Sequence, residues 1–319
     1  MGIARQRRDR DWDRSGGYGR IGLALVFLAC AVSAAEPDSP GGAEVEFLPA
    51  QDVPSADGLS GDDLYQSVLD NRFDAYDQEF EVVSGDGAGH FSRVELNLRY
   101  MNFRERSERV VSKTIAKYFG PPDVRHLGYL VINKPKGPDD QFVYRPSSRK
   151  VRRVNVRGES LAGTDFSFED VVPPEFEDGR HFRLADAQVG EIETYVVTVI
   201  PHPETESQYS KIVISLEKEH FVPLRTLYWD NKRVLVKQLD ADPNSLESFE
   251  ATAPNPESAE QDEEGNAEGP APKIVWIARR ARMTQLRSDH FSSLDIQRFE
   301  ANPGLRDRDF SQRELTSSR

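Results

Sequence analysis

The sequence predicts an α+β fold that is mostly β, an antiparallel sheet of about ten to eleven strands with few helices, and three observations point to it. Apolar Val94, Leu96, Leu98 and Tyr100 alternate with Arg93, Glu95, Asn97 and Arg99, the period of a strand with one dry face and one wet face. A series of β-branched and aromatic runs follows, each stopped by Gly, Pro, Asn or Asp. Helical spacing is clear at Leu64, Val68, Leu69 and Phe73, where Ser60 and Asp63 have the spacing of a capping box.

Residues 1–35 read as an export signal. Arg5, Arg7, Arg8, Arg10, Arg14 and Arg20 precede the apolar run Ile21 to Ala31, and Val32-Ser33-Ala34 puts a cleavage site near Ala34/Ala35. That run is shorter than the roughly 20 apolar residues of a membrane span, and charges follow Arg7-Arg8 where a twin-arginine signal expects apolar residues. Cys30 is the only cysteine. Phe27-Leu28-Ala29-Cys30 resembles a lipoprotein cleavage box with phenylalanine in place of the usual leucine, so lipid anchoring through Cys30 is the less favoured reading beside a soluble periplasmic product. Neither reading leaves a disulfide in the mature chain.

The formal charge of −13 is unevenly spread. Residues 1–35 are net positive by three, so the remainder carries −16. Segment 36–60 holds −6 and segment 241–272 holds −9, neither with a basic residue, which leaves the rest near −1. Both acidic segments are rich in Pro, Gly, Ser and Ala and read as disordered, the first as a linker and the second as an insertion in a hairpin. A folded part so nearly neutral argues against nucleic acid as a partner.

Between them the strands follow in order. Val110 to Phe119 ends at Gly120-Pro121-Pro122 and Leu127 to Ile132 at Lys134-Pro135. Phe142-Val143-Tyr144, a Pro146-Ser147-Ser148 turn and Lys150 to Val156 make a hairpin. Arg183 to Gln188 leads to Glu193 to Ile200, apolar enough to be buried on both faces. Lys211 to Leu216, Leu224 to Trp229 and Lys232 to Leu239 come next, then Ile274 to Ala278 and Phe291 to Phe299, with Arg279 to Arg282 at a strand end.

One stretch resembles a known family. Tyr144-x-Pro146, Arg149-Lys150-Val151-Arg152-Arg153-Val154 and Gly163-Thr164-Asp165-Phe166-Ser167-Phe168-Glu169-Asp170 resemble the signature of the outer-membrane lipoprotein-sorting-protein-like family, periplasmic relatives of the carrier LolA often found with exporters of the RND or MMPL type. Tyr209 to Ile214 with Pro223-Leu224-Arg225, and Asn302-Pro303-Gly304-Leu305 through Phe310-Ser311-x-Arg313-x-Leu315, are similar to its later parts. The resemblance covers most of 61–315. It implies an open half-barrel with helices in or over the concave face, a monomer, and lipid or lipoprotein acyl chains as ligand, with an inner-membrane exporter as partner. The insertion at 241–272 departs from the family pattern.

An apolar concave face must be covered, permanently by helices or reversibly by a ligand. On the second reading Val94, Leu96, Leu98, Tyr100, Tyr195, Val197 and Trp276 line a cavity. For the cations Arg145, Arg149, Lys150, Arg152, Arg153 and Arg157 three readings stand: an edge hairpin kept soluble by charge, a rim at which Arg145, Arg152 and Arg153 meet phosphate or carboxylate head groups, or pairing with Asp165, Glu169 or Asp170. Phe166 and Phe168, with those acids, form either a lid or a core plug. The six histidines stand singly, with no Gly-x-Ser-x-Gly, phosphate loop or dinucleotide fingerprint, so the expectation is a protein that is not an enzyme and needs no cofactor or metal. A non-transporting protein-binding module on the same fold, an envelope sensor or scaffold, is the alternative to a carrier.

Overall fold

The computed structural model describes residues 47–48, 51–136, 139–154, 158, 160–171, 175–251 and 273–317. The signal segment and Cys30 lie outside these residues. Helix α1 (Gly61–Asp70) opens the fold, with Ser60 accepting from the Asp63 amide and the Asp63 side chain accepting from the Ser60 amide. Strands β1 (Ala75–Gly85), β2 (Phe91–Asn102), β3 (Ser112–Gly120), β4 (Gly128–Asn133), β5 (Asp140–Arg145) and β6 (Lys150–Arg153) follow as a meander. A connecting segment holds the short helix α2 (Phe168–Val171). Then come β7 (Gly179–Val189), β8 (Ile192–Pro201), β9 (Tyr209–Glu217), β10 (Pro223–Asp230), β11 (Leu235–Ala241), β12 (Leu246–Ala251), β13 (Lys273–Ala278), β14 (Arg280–Gln285), β15 (Phe291–Ala301) and α3 (Gln312–Leu315).

Thirteen strands form one antiparallel sheet in the order β6-β5-β4-β3-β2-β1-β15-β14-β11-β10-β9-β8-β7, and β12 and β13 form a separate ribbon. The expected ten to eleven strands fall short of the fifteen present for one reason, the composition of three of them. β1, β12 and β14 are rich in charged or polar residues, as in Asp77, Glu79 and Glu81 of β1, and conceal the apolar alternation. The sheet is open, since β6 and β7 are its two ends. It is also curved, because residues from β2 to β5 share one apolar cluster with residues from β8 to β10.

Register fixes which face is inside. Phe80, Leu96, Tyr118 and, on the other wing, Val197, Ile214 and Thr226 lie across from one another on the concave side. On the convex side Ile115 and Leu130 are covered by Phe310 and Leu315 of the C-terminal segment. β6 and β7 lie at opposite ends of the sheet, and Leu161, Phe166 and Phe168 of the connection between them join the concave apolar cluster, so its described part is a crossing segment set in the hollow.

Two acidic segments are more ordered than their composition predicts. Residues 52–60 dock on β7: the Asp52 carboxylate accepts from the Arg183 amide, the Val53 amide donates to the Arg183 carbonyl, and Asp57 pairs with the Arg183 guanidinium. Residues 241–251 complete β11, make a short 3₁₀ turn at Pro243–Ser245 and form β12; what they lack in apolar content is replaced by ladder hydrogen bonds and by the Asp242–Arg280 and Glu247–Arg279 pairs. Residues 36–46, 49–50 and 252–272 lie outside the described ones.

Candidate functional site

The concave face is where the candidate ligand residues gather. Val94, Leu96, Leu98, Tyr100 and Val197 belong to its main apolar cluster, with Tyr195 packed against it. Leu96 and Val197 are 0 % exposed and Leu98 is 1 % exposed, so none of them touches a void the size of a water. Leu96, Leu98 and Val197 are therefore core, and a ligand reaches them only if a cover moves, whereas Tyr195 is partly exposed and Tyr100 lines a cleft. Burial pushes the Tyr100 hydroxyl up to about 12 and the Tyr118 hydroxyl well above its ordinary value.

The principal cover is the crossing segment. Leu161, Phe166 and Phe168 enter the hollow and are buried, Phe168 packing on Tyr129 with ring centroids 4.3 Å apart. Three acids of the segment, Asp165, Glu169 and Asp170, hold it down. The Asp165 carboxylate accepts from the Ser292 hydroxyl at 2.7 Å and meets His290 Nδ1 at 2.7 Å. Glu169 accepts from the Gln208 amide and the Ser207 hydroxyl. Asp170, its side chain fully buried, accepts from the Tyr209 hydroxyl at 2.6 Å and pairs with Lys237 at 3.0 Å. Burial, reinforced by the Asp170 charge, drives the Tyr209 hydroxyl far above its usual pKa. The five candidate lid residues thus form one unit, a plug of aromatic rings fastened by carboxylates.

Asp165, His290 and Ser292 are the residue types of a hydrolase triad, but the geometry differs from one. The Ser292 hydroxyl is buried and donates to the aspartate, and the histidine meets that same carboxylate through Nδ1, so nothing withdraws the serine proton towards a base. Among the described residues no group of three His, Cys, Asp or Glu side chains converges to hold a metal.

Trp276 does not lie on the main sheet. It belongs to β13, and the β12–β13 ribbon folds over the end of the hollow as an arm. Asn71, the C-cap of α1, bonds the Trp276 backbone twice, donating to its carbonyl and accepting from its amide at 2.8 Å each, while the Trp276 ring stacks on His220 at 4.0 Å. Between arm and sheet lies an apolar cleft of about 260 Å³ lined by Phe73, Tyr76, Tyr100, Ile277, Ile296 and Phe299, with Arg72 at its margin. A larger, polar cleft of about 700 Å³ is lined by Arg104, Lys134 and Gln141 on one wing and Glu175, Glu177 and Glu204 on the other.

The arginine cluster occupies the edge hairpin β5–β6. Arg152 lies opposite Val143 on the concave side, and Arg145 opposite Lys150. Arg153 corrects the expected rim: it lies opposite Phe142, on the other face, and its guanidinium pairs with Asp140. Among the described residues Asp165 and Asp170 meet His290, Ser292, Tyr209 and Lys237 rather than Arg145, Arg149, Lys150 or Arg152. Arg157 lies outside the described residues. Sequence reasoning missed His290, Ser292, Lys237 and Asn71, whose contacts join positions 67 to 205 residues apart and leave no local trace.

A family model described only as an uncharacterized protein matches residues 111–253. No curated protein matches the chain. Among solved structures, a proposed outer-membrane lipoprotein-sorting protein domain from Vibrio parahaemolyticus superposes with a TM-score of 0.64 at 21 % identity, covering 81 % of this chain and 98 % of that one. A DUF1329 family protein from Desulfovibrio piger gives 0.64 at 21 % identity, over 80 % and 97 % of the two chains. A LolA superfamily protein from Nitrosomonas europaea gives 0.57 at 15 % identity, over 81 % and 100 %. None of the three is described as an enzyme. The structural neighbours of this chain are LolA-superfamily and outer-membrane lipoprotein-sorting domains, and theirs is the fold it has.

Proposed function

We propose that the protein is a periplasmic carrier that takes up the acyl chains of a lipid or lipoprotein in its concave face, receiving them from an inner-membrane exporter of the RND or MMPL type and passing them towards the outer membrane. The observation that carries this reading is the construction of the plug. Its apolar rings fill the hollow, yet what fastens it to the sheet is a set of carboxylate-accepting hydrogen bonds and one ion pair, contacts worth about 1.5 to 3 kcal/mol each that can be exchanged for water. An acyl chain entering as the plug leaves buries similar apolar surface, at about 0.8 kcal/mol per methylene. One chain binds only marginally on that arithmetic, so two chains or a head-group contact complete the affinity. The likeness to a lipoprotein-sorting domain and to a LolA superfamily protein supports a lipid-binding, periplasmic role at the level of the fold.

The filled interior favours a second reading, a non-transporting module that binds a protein in the cell envelope. Native mass spectrometry of the mature protein from its own periplasm separates the two, together with uptake of a fluorescent fatty-acyl probe. A carrier holds co-purified acyl lipid, and Asp165→Asn, which weakens the plug's attachment to His290 and Ser292, takes up the probe about tenfold more readily. A clean apo mass with no uptake by either protein overturns the carrier and leaves the module.

A further inference from the structure

The β5–β6 hairpin carries cations that the fold leaves without partners. Arg93, Arg99, Arg104, Arg279, Arg280 and Arg298 each meet a carboxylate. Among the described residues, Arg145, Arg149, Lys150 and Arg152 meet none, while Asp140 pairs with Arg153 and Asp165 and Asp170 with the plug's fastenings. Arg145 and Lys150 lie directly opposite each other in the ladder, and like charges so placed destabilise a sheet. Protection of an edge needs one charge, not two that repel.

The backbone of this edge is available as well. The Val154 amide donates inward to the Gln141 carbonyl, so by strand alternation Val151 and Arg153 direct their N–H and C=O groups away from β5. β6 is the terminal strand on its side of the sheet. Lys150 and Arg152 project from one face two residues apart, about 6.7 Å along the strand, the spacing of alternate side chains on an added strand.

We propose that β6 is a docking edge for an extended acidic segment of a partner protein, which adds to the sheet as a further strand and sets carboxylates at alternate positions against Arg145, Lys150 and Arg152. Main-chain hydrogen bonds to Val151 and Arg153 supply the affinity, and the cations supply the choice of sequence. A bilayer fits the site less well. The exposed large apolar residues Phe91, Phe119, Val234, Ile274 and Leu286 all lie on other elements, and lipid offers no strand to complete the ladder.

The test uses the mature protein and two fluorescein-labelled peptides of one composition, one alternating Glu and Thr and one with all its Glu before its Thr, followed by anisotropy. The alternating peptide binds more tightly. Lys150→Glu with Arg152→Glu lowers its affinity about tenfold, as expected for two cross-strand pairs turned repulsive. Val151→Pro removes an outward N–H without touching the β5 ladder and weakens binding comparably. The charge variants alter exposed side chains only, so they stand as the test if the proline variant fails to fold. Absence of binding, or equal binding of both peptides with Val151→Pro at wild-type affinity, overturns the proposal. So does binding to phosphatidylglycerol vesicles in preference to the peptide, or self-association that the charge reversals abolish.

Discussion

His181 is the residue whose chemistry is most constrained by its surroundings. It lies on β7 beneath α1, stacked on Tyr65 with centroids 4.1 Å apart and tilted against Phe176, with Nδ1 at 3.0 Å from Asp62 and Nε2 buried without a hydrogen bond. Burial pushes its pKa below the ordinary 6.5, outweighing the Asp62 carboxylate, with His202 adding a small push the same way. The unfolded chain therefore binds this proton more readily than the folded one. The stability held by neutral His181 is complete above about pH 6.5 and falls as the pH drops through that value towards the folded pKa. A melting series from pH 7.5 to 5 should show that slope in the wild type and a shallower one in His181→Phe. Single histidines in this sequence read as surface or satisfied groups, and His90, half of an exposed pair with Asp86, fits that description. His181 does not, because its burial depends on a helix more than a hundred residues earlier.

At the scale of elements, α1 is held by how closely it approaches its neighbour. A Cβ added at Gly61 would stand 2.4 Å from the Phe182 Cα and 2.5 Å from the Arg183 amide nitrogen, a conflict with backbone that no rotamer relieves. Gly61→Ala should lift the first turn of α1 from β7, costing about 2 kcal/mol and speeding amide exchange in α1 ahead of β8. Helix α1 was legible in the sequence because its cap, its spacing and its apolar face agree. β2 was legible for the same reason, as was β8, whose residues Val196 to Ile200 are buried on both faces. β1 and β14 were not, because the convex face is a lattice of ion pairs in which Asp77, Arg99 and Arg298 take the place of apolar contacts. β12 was hidden by composition, since a ribbon that folds over an opening needs only Phe249 and Ala251 on its dry side.

For the whole molecule, three covers close the hollow: the plug, α1 and the arm. The arm and α1 are joined through Asn71, which bonds both polar atoms of the Trp276 backbone. Asn71→Ala should release the arm, with faster exchange in β12 and β13, brighter binding of an apolar dye at the Phe73–Phe299 cleft, and a loss of about 1 to 2 kcal/mol. That Val94, Leu96, Leu98 and Tyr100 share one face could be read from periodicity alone. That they are packed shut could not, because closure depends on the crossing from one end of the sheet to the other, a property of topology rather than of any segment. The same topology treats its two ends differently. At Arg183 the outer edge of β7 is already occupied by residues 52 and 53 of the chain itself, while β6 ends the sheet with outward-facing amides. The two ends of the sheet therefore differ in what they can receive: a strand added along β7 would have to displace residues 52 and 53 at Arg183, and one added along β6 would displace no described backbone.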